Sequence, residues 1–299
     1  MTECERIIKD GFLPKDFFLQ EEICGFLVTE KRKKIWAIEL ELLSIFIKVC
    51  EKYHLRYWLL GGSLLGAVRH EGIIPWDDDI DVGMPRYDYN RFLNLTEEFQ
   101  EPFFLQTPYT DSKYAYSYTK IRNSNTTCLI PMFEYQHFNQ GVFIDIFPYD
   151  NWDRKGEKMF ERIQNLALEN STYMRLTNPN LDNKNKERVR KWCGRPPLEV
   201  YEEIQSLASS YLDVDTDYLA KVVFAFNLQN EVHPKFLYDE LIQVKFNNLR
   251  VNIPKNYSKV LEIYFGKDYM QFPPIEKRNG GHETAVFDPD KSYKEYIQE

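Results

Sequence analysis

Trp76-Asp77-Asp78-Asp79-Ile80-Asp81-Val82 sets four carboxylates among apolar residues. In an extended chain alternate side chains share a face. Asp79 and Asp81 then point one way, while Ile80 and Val82 turn to the core. Two carboxylates so placed repel each other, and a hard divalent cation with oxygen ligands relieves the repulsion. Carboxylates that leave room for waters and phosphates suit magnesium or manganese. An acidic surface turn is the alternative for an isolated Asp-x-Asp. It needs neither the interleaved Ile80 and Val82 nor Trp76 ahead of them.

Two further pieces bear on the same chemistry. Gly61-Gly62-Ser63 falls between an expected strand, Leu55–Leu60, and an expected helix, Ser63–Arg69. Glycines permit a sharp turn and close approach of a phosphate, and a helix N-terminus offers free N–H groups to an anion. Ser63 either caps that helix or touches phosphate, and capping is the default. Asp145 interrupts the apolar run Val142–Phe147. A buried carboxylate must be paired or metal-bound. It is therefore either salt-bridged at a strand end or a third acid beside Asp79 and Asp81.

The positioning elements follow from periodicity. Ile35, Ile38, Leu42, Ile45, Phe46 and Val49 recur at helical spacing and predict an amphipathic helix to Tyr53. A helix beginning near Pro85 is expected to reach about Phe99. Strands are expected at Phe103–Gln106, Tyr116–Arg122, Thr126–Ile130 and Val142–Phe147. Residues 155–230 read as mostly helical. The division that results is an N-terminal extension (1–34), a mixed core (35–154), a helical region (155–235) and a C-terminal segment returning to the core (236–299).

With 299 residues, 43% hydrophobic and 28% charged, the chain has the composition of a globular protein with a substantial core. Its net charge of -8 argues against a nucleic-acid binder, which needs a basic footprint. Met1–Asp10 lacks a signal-peptide pattern, and Glu39, Glu41 and Lys48 break the longest apolar stretch, so no membrane span is expected. Packing of the Ile35–Tyr53 helix on the core is favoured, and peripheral membrane contact stays open. The five scattered cysteines form no CxxC pair and point to a reducing, cytoplasmic setting.

The order strand, Gly-Gly-Ser, helix, Asp-x-Asp and later lone Asp resembles the polymerase-β-like nucleotidyltransferase superfamily. Within it, Leu59–His70 with Gly72 and Ile74–Asp81 resembles the LicD family, as do Phe143–Asp150 and the tail Tyr264–Met270 with Pro273 and His282. Residues 155–235 carry no such likeness. The resemblance implies an α+β fold: a nucleotidyltransferase-like mixed sheet flanked by helices, with a helical insertion. It implies metal-dependent transfer of phosphocholine from CDP-choline to a teichoic-acid or lipopolysaccharide hydroxyl, releasing CMP. The acceptor is a glycan or lipid-linked glycan, reached in the cytoplasm or at the inner face of the membrane.

By the same resemblance Asp79, Asp81 and Asp145 hold Mg2+ (or Mn2+) on the donor diphosphate, and Asp145 can accept the acceptor proton. Asp77 is a lesser candidate ligand. Gly61, Gly62 and Ser63 would cradle phosphate. Arg69, His70, Lys120 and Arg122 are phosphate contacts or solvated charges. Trp76 is the first choice for an aromatic facing the choline head, followed by Tyr149 and Tyr269, because a quaternary ammonium is held by cation–π contacts. His282 sits in the closing motif. The alternatives are transfer of ribitol phosphate, glycerol phosphate or phosphoethanolamine, an Asp-x-Asp glycosyltransferase, and a non-catalytic relative.

Overall fold

The structure is a computed structural model describing residues 1–133, 136–153, 156–174, 183–184, 187, 195–225, 228–280 and 286–297. Helix α1 (Glu3–Lys9) opens on a capping box between Thr2 and Glu5. A hairpin of β1 (Glu21–Ile23) and β2 (Phe26–Val28) leads into the long helix α2 (Glu30–Tyr53). The helix starts ahead of the apolar periodicity because the Thr29 hydroxyl accepts from the Arg32 backbone N–H at 3.3 Å. It ends where His54 turns left-handed at φ 54°. Trp36, Leu40, Leu43 and Phe46 from α2 are buried, and so is Glu39.

The central sheet is built from β3 (Trp58–Leu59), β4 (Asp81–Pro85), β5 (Phe103–Gln106), β6 (Thr119–Asn123) and β8 (Val142–Trp152). Helix α3 (Gly61–His70) follows β3, and α4 (Arg86–Phe92) follows β4. Strand β4 runs parallel to β8, whereas β3, β5 and β6 pair antiparallel, so the sheet is mixed. A separate strand, β7 (Thr127–Leu129), pairs with β13 (Val286–Asp288) from the C-terminal tail. Together with its flanking helices this is an α+β architecture.

Strand β8 outruns the expected Val142–Phe147 by continuing to Trp152. Asp150 does not end it, because Arg86 neutralises the carboxylate with bonds of 2.6 and 3.0 Å while its third nitrogen donates to Gln205 at 2.6 Å. The far half of β8 pairs with β9 (Tyr218–Ala220), which pairs in turn with β10 (Val232–Pro234). The region read as mostly helical thus supplies sheet strands as well as α5 (Glu157–Tyr173) and α6 (Pro197–Ala208). The hairpin β11 (Leu241–Phe246) and β12 (Leu249–Pro254) and helix α7 (Tyr257–Phe265) complete the described elements used below. The helix expected to run to Phe99 stops at Phe92 and is followed by a short 3-10 turn, Thr96–Glu98.

Two predictions follow from buried charge. Arg86→Ala strands Asp150 inside the protein, and denaturant unfolding should show a loss of roughly 3–5 kcal/mol. Burial holds the imidazole of His233 down to about 4, the Asn230 carbonyl opposing and Lys221 adding to the shift. The unfolded chain, titrating near 6.5, therefore binds more protons than the folded one between pH 6.5 and 4. His233 contributes no pH dependence above that window and lowers stability as pH falls through it. A His233→Gln variant should gain in thermal midpoint relative to wild type as pH is lowered from 7.5 to 4.5, as scanning calorimetry would register.

Candidate active site

Register places three charged side chains in one row across the sheet. Asp81 on β4 is opposite Asp145 on β8, and Asp145 is opposite Lys120 on β6. Neighbouring strands are about 4.8 Å apart. The Lys120 ammonium donates to the Asp145 carboxylate, and the Asp145 backbone N–H donates to the Ile80 carbonyl at 2.9 Å. All three side chains line a cavity of about 370 Å3, joined there by Asp79, Gly61 and Gly62. Ile80 and Val82 are fully buried on the other side of the chain.

The Gly-Gly-Ser turn meets the acids directly. Gly61 takes φ +53°, a left-handed conformation, and a Cβ there would lie 3.7 Å from Asp81 Oδ2. A Cβ on Gly62 would approach Asp77 Oδ2 to 2.7 Å, closer than a side chain tolerates. Ser63 departs from its expected role. The helix begins at Gly61 without a side-chain cap, and the Ser63 hydroxyl instead accepts from the Asp81 backbone N–H at 2.8 Å. It ties the acid-bearing strand to α3.

Residues 77–80 are irregular, and the strand starts only at Asp81. Arg32 and Trp36 of α2 donate to the Asp77 carbonyl at 2.7 and 3.3 Å and pin this loop. Carboxylate oxygens of Asp77, Asp78 and Asp79 lie within 4.8 Å of one another. Among the described residues this is the group that meets metal-ligand spacing, so Asp77 and Asp78 are more central than the sequence suggests.

Burial pushes the Asp81 carboxyl well above the usual range; Asp79 and Asp145 add to the shift, and Lys221 and Lys120 oppose it. Burial, then Asp81 and Asp78, raises Asp77 to about 7. Lys120 is held low by burial, against the pull of Asp145. Crowded acids that resist ionisation, offering only oxygen donors, fit a hard divalent cation.

The remaining expected contacts divide between the cavity and a separate aromatic cluster. Arg122 lines the cavity and bonds to Gln106 and to the Gly141 carbonyl, so neither it nor Lys120 is a solvated charge. Arg69, His70 and Trp76 do not line it. They pack together: Trp76 lies 5.8 Å from the His70 ring, and the Arg278 and Arg69 guanidiniums sit 4.9 and 5.6 Å from its ring centroid. Arg69 donates to the Tyr269 and Gln271 carbonyls, which fastens the C-terminal tail to α3. Trp76 is thus an anchor beside the acidic loop, with guanidinium groups already over its ring. Tyr149 is buried against Tyr264, and Tyr269 bonds to Ser258. His282 lies outside the described residues.

The aromatics that do face the cavity include Tyr116, Tyr118, Phe147 and Phe224, along with Lys221 and Glu231. No local motif marks them. Glu39 was likewise read only as a break in an apolar run. It is 1% exposed, its Oε2 has no hydrogen-bond partner among the described residues, and burial followed by Asp79, Asp78 and Asp77 pushes its carboxyl well up.

The family described as LicD/FKTN/FKRP, nucleotidyltransferase domain, matches residues 54–181. The lipopolysaccharide cholinephosphotransferase LicD of Haemophilus influenzae is 27% identical over 248 residues, 81% of this chain and 92% of that protein. An uncharacterised protein of Rickettsia prowazekii is 29% identical over 154 residues, 49% of this chain and 54% of its own. Human ribitol 5-phosphate transferase FKRP is 60% identical over 44 residues, 15% of this chain and 9% of that one. The acids, the glycine turn and the Asp145 strand all lie inside this matched LicD-type stretch, and the similarity to LicD marks the chain as a phosphotransferase.

Proposed function

We propose that this phosphotransferase carries phosphocholine from CDP-choline to a hydroxyl of a cell-surface glycan precursor, of the teichoic-acid or lipopolysaccharide type, and releases CMP. The observation that supports it is the row Asp81–Asp145–Lys120 lining a cavity that Tyr116, Tyr118, Phe147 and Phe224 also line. Acids and lysines suit a diphosphate, and aromatic faces suit a quaternary ammonium.

Asp79, Asp81 and Asp145 would hold Mg2+ (or Mn2+), with Asp77 and Asp78 beside Asp79 as further oxygen donors, and the ion when bound would neutralise charge on the donor diphosphate. Lys120 and Lys221 present ammonium groups to the same phosphates. Gly61 and Gly62 leave the backbone open to them. The acceptor oxygen attacks the phosphorus next to choline, its proton passes to Asp145, and the bond to the CMP oxygen breaks. Phosphoryl-type transfer asks mainly for positioning and charge neutralisation, and these residues supply both.

The acceptor fits a lipid-linked glycan met at the cytoplasmic membrane face. Among the described residues no helix is long and apolar enough to cross a membrane. A second reading, transfer of ribitol phosphate, draws on the short, strongly matching segment shared with FKRP.

The decisive assay follows CMP release from CDP-choline, CDP-ethanolamine, CDP-glycerol and CDP-ribitol in magnesium. CDP-choline should give the highest kcat/KM, and Asp79→Asn and Asp81→Asn should each lower kcat at least roughly a hundredfold with the fold intact. Undiminished turnover in EDTA would refute the metal-dependent reaction, and preference for CDP-ribitol would select the second reading.

A further inference from the structure

Glu231 ends the helical turn just before β10, 8% exposed, and its carboxylate borders the cavity. One oxygen pairs with the Lys221 ammonium at 3.2 Å. The other, Oε2, is buried and makes no hydrogen bond of normal geometry among the described residues, with the Tyr264 hydroxyl near enough to favour the charged form of the acid. A buried carboxylate oxygen left unsatisfied is costly and points to a group that arrives from outside.

Its surroundings narrow the chemistry of that group. Tyr118 lies 4.5 Å from Phe147 and 5.2 Å from Phe224 between ring centroids, and Tyr116 lies 5.2 Å from Tyr118. The Lys221 ammonium stands 4.9 Å from the Phe147 ring centroid while donating to the Phe224 carbonyl at 3.1 Å. A cation therefore already sits where an aromatic face and a carboxylate meet. Phe224 adopts φ +55°, a conformation unfavourable for a bulky side chain, at 40% exposure beside the cavity. Such strain persists where surrounding structure or function demands it.

Resting on the CDP-choline reading, we infer that Glu231 and the wall of Tyr118, Phe147 and Phe224 form the subsite for a methylated ammonium head group. Lys221 is the resident counter-ion of the empty subsite. When the donor enters, its ammonium takes the free oxygen of Glu231, and Lys221 turns from the acid toward the diphosphate. Lys221 already acts on both sides, since it is also among the cations that oppose the raised Asp81 carboxyl. Burial raises the Glu231 carboxyl, Lys221 and Tyr264 pulling the other way, so a bound cation would favour its charged form. A neutral polyol would bring no charge to answer the acid.

The test compares wild type with Glu231→Gln by calorimetric binding of CDP-choline, CMP and choline chloride, and by steady-state kinetics. Glu231→Gln should weaken CDP-choline and choline about tenfold, leave CMP unchanged, and leave a donor carrying the uncharged 3,3-dimethylbutyl head unaffected. Equal weakening of the charged and uncharged heads, or no change in either, overturns the subsite. If Glu231→Gln does not fold, Phe224→Leu serves instead. It should weaken choline several-fold with CMP unchanged, and unaltered choline binding counts against the inference. Choline binding that depends on Glu231 without turnover of CDP-choline would sustain the subsite and defeat the donor reading. Turnover of CDP-choline with an unchanged KM in the variant would do the reverse. Failure of wild type to bind CDP-choline or choline defeats both.

Discussion

Like charge held out of water is the constraint around which this protein is arranged. Asp77, Asp78, Asp79, Asp81, Asp145 and Glu39 converge from α2, the acidic loop and two parallel strands. No fold gathers such groups spontaneously, because each isolated carboxylate loses hydration on burial. The compensation is distributed. Lys120 lies against Asp145, Lys221 acts on Asp81 from just after β9, and Arg32 and Trp36 grip the loop backbone. The sheet contributes rigidity: Asp81 cannot drift from Asp145 without breaking a parallel ladder five residues long.

The long strand β8 links this centre to the rest of the chain. Asp145 near its start faces the cavity, and Asp150 farther along is clamped by Arg86. Between them Phe147 lines the same cavity, and from Asp150 onward β9 attaches and brings the following residue, Lys221, to the cavity wall. The strand's two ends thus serve different tasks, one chemical and one architectural. Lys221, which follows β9, reaches the acids because β8 is longer than its apolar run suggested.

The acid motif was legible because charge alternated with apolar residues at strand spacing, a local signal. Asp145 was legible for the same reason, as a lone acid in an apolar run. The mixed α+β character also followed from periodicity. Lys221, Glu231 and Phe224 were not legible, because their meaning arises from β9 pairing with β8, which no neighbouring residue announces. Trp76 was expected at the cavity because it precedes the acids in sequence. Residues 77–80 are irregular, and the indole packs with Arg69, His70 and Arg278 and does not line the cavity. Ser63 misled because hydroxyls before helices usually cap them, and here the hydroxyl serves β4.

Gly280 ties distant parts of the sequence together. A Cβ at that position would lie 2.1 Å from Asp78 Oδ2, so bare backbone far along the chain is pressed onto the acidic loop. Any side chain at this position would have to displace the Asp78 carboxylate, so the shape of the acidic loop depends on a residue remote from it in sequence.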